Sequence, residues 1–157
     1  MIPALIGIFS ALMIILLVRI LVRLLRQPDE KLLYGLILAG IGFLYVGFTW
    51  MDLEALISSS VQAVVFVLIA GYGMVKNELI LAIGYILHGC WDLVYHFINL
   101  PDLLPPHYDL FCSVLDFTIA AYLLIVARHD RFLLSKEEKT QDARHKMQDS
   151  GKLGLDS

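Results

Sequence analysis

Between Leu87 and His96 the chain reads Leu-His-Gly-Cys-Trp-Asp-Leu-Val-Tyr-His, so that His88, Asp92 and His96 follow one another at intervals of four. On an α-helix that spacing lines one face, drifting by ~40° per step. Trp91 and Tyr95 flank the stripe, each three residues from one of its members. Imidazoles and carboxylates serve as ligands for zinc and other divalent metals, as general acids and bases, and as links in proton relays. His88 and His96 are ~12 Å apart along such a helix, too far to share one ion at metal–ligand distances near ~2 Å. His88/Asp92 or Asp92/His96 can chelate as an i,i+4 pair, with Asp116 as a third ligand from another segment. The metalloprotease form His-Glu-x-x-His is absent.

The surroundings of these residues are apolar, and that decides how they must be held. Five segments are long and apolar enough for a membrane helix, which needs about 20 residues to cross ~30 Å of hydrocarbon. They run over about 2–25, 32–51, 55–75, 79–98 and 110–127. The fourth contains the His/Asp stripe and the fifth contains Asp116. Gln27-Pro28-Asp29-Glu30, Asp52 with Glu54, and Lys76-Asn77-Glu78 mark the first three breaks, and a proline-rich stretch from Asn99 to His107 marks the last. Charged side chains are expensive in a bilayer and turn toward the bundle interior. The expected fold class is therefore all-α, an integral membrane bundle of five transmembrane helices.

Orientation follows from the basic residues. Arg19, Arg23, Arg26 and Lys31 lie around the first connection, Lys76 in the third, and the rest from Arg128 onward. Five spans with the N-terminus outside and the C-terminus in the cytoplasm place all 12 basic residues inside. The arginines follow the first apolar run rather than precede it, so this run reads as a retained helix and not as a signal peptide. They suit anionic headgroups. Residues 130–157 read as a polar, mostly disordered cytoplasmic tail, in which Ser135-Lys-Glu-Glu138 has the form of a helix cap.

With this topology Asp92 lies ~9 Å and Asp116 ~10 Å below the outer surface, at one level. Gln62 and Ser58–Ser60 on the third span, and Tyr45, Thr49 and Trp50 on the second, occupy the same outer half, with Asp52 and Glu54 just beyond. The expected site is a polar pocket open, or nearly open, to the outer face. His88, Asp92, His96 and Asp116 are its candidate catalytic or metal-binding residues, not all on one ion. Trp50, Asp52, Glu54, Gln62, Trp91 and Tyr95 are its candidate walls.

Composition sets the outer limits. The 157 residues are 59% apolar and 17% charged, with a mean hydropathy of +0.75. Soluble domains are more charged and less apolar, and disordered chains are polar throughout. A net charge of −3 gives no reason to expect nucleic acid. Two cysteines, Cys90 and Cys112, at different levels fit neither a disulfide scaffold nor a thiol relay. No Gly-x-Ser-x-Gly elbow is present. Small residues, among them Gly35, Gly42, Gly84 and Gly89, allow close helix packing and a homo-oligomer.

The stretch from Leu87 to His96, with Tyr45-Val-Gly-Phe-Thr-Trp-Met-Asp-Leu-Glu54 before it, resembles a family of small uncharacterised bacterial membrane proteins that carry a His-x-x-Trp-Asp helix near a second His. The resemblance covers about Tyr34 to Ala127. It implies no established activity; it points to His88, Trp91, Asp92, His96, Asp52 and Glu54, and it implies a bacterial inner membrane.

Three functional readings follow. One is a metal-assisted or acid–base enzyme on a lipid-like substrate, with zinc or another divalent metal as the candidate cofactor. The second is a proton relay. The third is a structural or transport-associated subunit whose buried polar groups fix helix register.

Overall fold

The computed structural model describes residues 2–25, 29–97 and 105–153; the side chains of 95–97 and of many positions after 129 lie outside this description. Five helices follow one another: α1 Ile2–Leu25, α2 Glu30–Thr49, α3 Leu53–Lys76, α4 Glu78–Phe97 and α5 Tyr108–Leu153. No strand occurs among the described residues. α1, α2, α3 and α5 are each long and apolar enough to cross a membrane. α4 has the length of α2, 20 residues, and carries the buried His88 and Asp92.

Helix boundaries follow local chemistry. Asp29 caps α2, its carboxylate accepting from Lys31 N at 3.2 Å. Asp52 caps α3 through Ala55 N at 2.9 Å. Asn77 ends α3 in extended geometry and accepts from Ile80 N at 3.1 Å, which starts α4. A short polar side chain at each of these points satisfies a backbone N–H that the first helical turn leaves without a partner. His107, with φ 64°, turns the chain into α5. The left-handed region is uncommon outside glycine, and histidine is among the residues that enter it more readily.

Two compact units are distinguished, residues 1–124 and residues 125–157. In the first, short connections fold α2 and α3, and α3 and α4, back on one another, and α2 also touches α4 and α1. Its core holds Tyr34, Leu38, Phe66, Leu81, Tyr85 and Ile119. Large apolar side chains such as Leu5, Phe9, Leu12, Leu16, Leu68 and Val75 remain exposed. In water so much exposed apolar surface would be unfavourable; against lipid tails it is the expected exterior of a membrane bundle.

Close approach is made possible at specific glycines. A Cβ on Gly7 would lie 2.7 Å from the carbonyl oxygen of Phe111, so α1 meets the backbone of α5 there. A Cβ on Gly89 would lie 3.1–3.3 Å from the Phe117 ring, Ser113 O and the Asp116 Cβ. α4 and α5 are thus drawn together beside Asp116, and Ser113 Oγ donates to Gly89 O at 3.0 Å across the seam.

At the end of the unit where α2 and α4 begin, Arg19 Nε donates to Tyr122 Oη at 3.0 Å, and Tyr122 Oη donates to Glu30 Oε2 at 3.3 Å. Arg19, read from sequence as a headgroup anchor, therefore also ties α1 to α5 and, through Tyr122, to α2. Lys31 reaches Asp29 at 3.3 Å and Glu78 at 3.9 Å.

The second unit is helical over its described residues. α5 continues without interruption through Leu153. Lys, Glu, Gln, Arg and Ala dominate 136–147 and lose little side-chain freedom in a helix. Thr140 Oγ1 also donates to Lys136 O at 2.8 Å along it.

Candidate functional site

α4 supplies His88 and, one turn later, Asp92; α5 supplies Asp116 across the seam that Gly89 narrows. All three side chains have no exposed surface. His88 Nδ1 stands 2.8 Å from Asp116 Oδ2 and 3.5 Å from Asp92 Oδ2. With Asp116 ionised, its oxygen can only accept, and Nδ1–H is the donor of this hydrogen bond. The other ring nitrogen faces Gln62 on α3, with Nε2 to Nε2 at 3.4 Å, a long contact in which the amide is the donor. Tyr45 on α2 donates from Oη to Asp92 Oδ1 at 2.6 Å. The cluster thus draws on four helices.

Aromatic rings wall it in. The Phe66 ring meets the His88 ring edge-on with centroids 4.6 Å apart, and Tyr45 meets it at 6.1 Å. Thr49 Oγ1 turns back to Tyr45 O at 2.8 Å, so that a buried hydroxyl at the end of α2 satisfies itself locally. Several buried polar atoms make no hydrogen bond: Asp92 Oδ2, Asp116 Oδ1, Gln62 Oε1, Ser59 Oγ and Trp91 Nε1. Two carboxylates with uncommitted oxygens beside one imidazole favour added positive charge. One ligand atom from each of His88, Asp92 and Asp116 lies within 4.8 Å of the other two, a spacing a single divalent cation can bridge.

The residues expected from sequence are distributed as follows. His88, Asp92, Asp116 and Gln62 come together, and the level shared by Asp92 and Asp116 appears as their joint approach to His88 Nδ1. His88, Asp92 and Asp116 are themselves fully buried. Asp52 is the α3 cap, Glu54 is exposed in the first turn of α3, and Trp50 is 70% exposed at the end of α2. These three stand apart from the cluster, because the α2–α3 turn sets them one to two turns beyond it. The side chains of His96 and Tyr95 lie outside the described residues. Trp91 lines a groove of about 480 Å³ between α3 and α4, together with Gln62 and Phe66. Cys90 and Cys112 are both free, the first exposed and the second buried.

Tyr45 is the cluster member that the sequence did not assign to the site. Its depth on α2 was legible; its pairing with Asp92 depends on how α2 is rotated against α4.

The DUF6010 family model, describing a family of unknown function, matches residues 4–129. The chain belongs to the DUF6010 family. The DUF6010 match takes in Tyr45, Gln62, His88, Asp92 and Asp116 and ends before the polar stretch of α5. No curated protein and no solved structure matches the chain.

Proposed function

We propose that this DUF6010 protein is a membrane-embedded acid–base enzyme acting on a lipid-like substrate, with His88 as the proton-transferring group. The observation that carries this reading is the 2.8 Å contact of His88 Nδ1 with Asp116, fully buried. A carboxylate bonded to Nδ1–H fixes ring orientation and tautomer and leaves Nε2 as the base. That nitrogen faces Gln62, which also lines the groove between α3 and α4. Asp92, held by Tyr45, supplies a second negative charge that stabilises an imidazolium. In this reading all five helices cross a bacterial inner membrane, N-terminus outside and C-terminus cytoplasmic. This orientation puts Arg19, Arg23, Lys31 and Lys76 on the cytoplasmic side, as the positive-inside rule expects.

A second reading, a divalent metal held by His88, Asp92 and Asp116, is favoured by the uncommitted Asp92 Oδ2 and Asp116 Oδ1. Such an ion would require Nδ1 to be deprotonated and would supply Lewis-acid chemistry.

The deciding experiment is elemental analysis of the purified protein, with mass spectrometry of lipids after incubation in nanodiscs made from total membrane lipid. A lipid product made by the wild type and lost in Asp116→Asn supports the enzyme. Stoichiometric metal lost in both His88→Ala and Asp92→Ala assigns the chemistry to the metal; metal-free active protein assigns it to His88. Metal-free protein with unchanged lipids, and an oligomer that dissociates on Asp116→Ala, makes the cluster structural and overturns the proposal. So does a pH-dependent ion flux in liposomes abolished by Asp92→Asn, which would make it a relay.

A further inference from the structure

We infer that the groove between α3 and α4 binds a neutral single-chain lipid alcohol, its hydroxyl between Gln62 and Trp91 and its chain running toward Ile69. The inference deepens the reading above, because Gln62 is shared by the groove and by His88.

The groove is graded in polarity. Ser58, Gln62 and Trp91 lie toward the end at which α3 begins, and Phe66, Ile69 and Leu87 lie further along. Two orphaned groups of opposite kind sit at the polar end: Gln62 Oε1, an acceptor on a side chain only 5% exposed, and Trp91 Nε1–H, a buried donor. A buried polar atom without a partner is costly, and a ligand that pairs both recovers that cost. A hydroxyl can donate to Gln62 and accept from Trp91 at once. A carboxylate cannot donate, and its charge would be unfavourable against walls this apolar. From Gln62 to Ile69 the groove follows α3 for about 10 Å, so it holds the head end of the chain. Val61 and Val65 on the groove's wall are exposed, so the groove opens sideways to lipid rather than to water.

The test uses full-length protein in phosphatidylcholine nanodiscs and a hexadecanol carrying a photoreactive diazirine in its chain. Saturable labelling confined to the peptides of Val65–Ile69 and Leu87, competed by unlabelled hexadecanol but not by hexadecanoic acid, is the expected result. Gln62→Leu and Trp91→Phe each weaken the saturable component about fivefold, the effect of one lost hydrogen bond. Val65→Trp fills the groove from its lipid-facing wall, where folding is undisturbed, and removes the component. Labelling spread evenly over the lipid-facing helices, or unaffected by Val65→Trp, overturns the inference, as does preferential competition by the acid. Asp116→Asn leaves labelling intact. Saturable labelling of the wild-type protein with no lipid product formed by it rejects the acid–base reading and keeps the groove.

Discussion

Asp92 makes the constraint on a buried carboxylate concrete. One oxygen takes the Tyr45 hydroxyl at 2.6 Å and the other stands 3.5 Å from His88 Nδ1. Tyr45→Phe keeps the ring and removes only this hydrogen bond. Unfolding in mixed micelles should show a loss of about 1 kcal/mol, since interhelical hydrogen bonds in membranes are worth little more. The 2.8 Å pair of His88 and Asp116 should be coupled more strongly. In a double-mutant cycle, His88→Ala with Asp116→Ala should deviate from additivity by at least about 1 kcal/mol. His88→Ala with Glu54→Ala should add, because Glu54 is exposed on the first turn of α3. Additivity in the first cycle would remove the pair from the account.

Between elements, backbone approach matters more than hydrophobicity, because lipid tails are as apolar as the helices. Gly7 and Gly40 are both helical glycines, yet the first abuts Phe111 O while nothing lies within 4 Å of a Cβ on the second. Gly7→Ala is expected to push α1 away from α5 and cost about 1–3 kcal/mol, as overpacking does. Gly40→Ala should be neutral or slightly stabilising, because alanine is the better helix former. The same unfolding assay checks both, and equal effects would argue against the α1–α5 contact. Arg19→Ala should lower stability where Arg23→Ala does not, since Arg19 is the one bonded to Tyr122, the hydroxyl that also meets Glu30.

For the whole molecule, the decisive quantity is sidedness. Arg19, Glu30, Lys31 and Glu78 share one end of the first unit through their contacts, and Asp52 marks the other end of α3. The proposed orientation places the former in the cytoplasm. A phosphatase that is active only outside the cytoplasm should be inactive when fused after Lys76 and active when fused after Pro105. The reverse pattern would invert the protein, and equal activity at both sites would remove α4 from the membrane.

The five helical segments were legible because an apolar helix satisfies its own backbone within its own sequence, which makes hydropathy a local property; four of them are long and apolar enough to cross a membrane. Their expected limits lie within two residues of the helix ends, α5's continuation past 127 excepted. The cost of burying charge also made it legible that His88, Asp92 and Asp116 would face inward, and counting residues along the helices put the two acids at one level. Whether these groups touch depends on the rotation and separation of helices, which non-local packing sets. Gly89 against Phe117 and Ser113 brings α5 to His88, and the register of α2 brings Tyr45 to Asp92. The burial of the cluster and the displacement of Trp50, Asp52 and Glu54 from it are likewise products of tertiary packing, because a single helix carries no information about what lies across its interface.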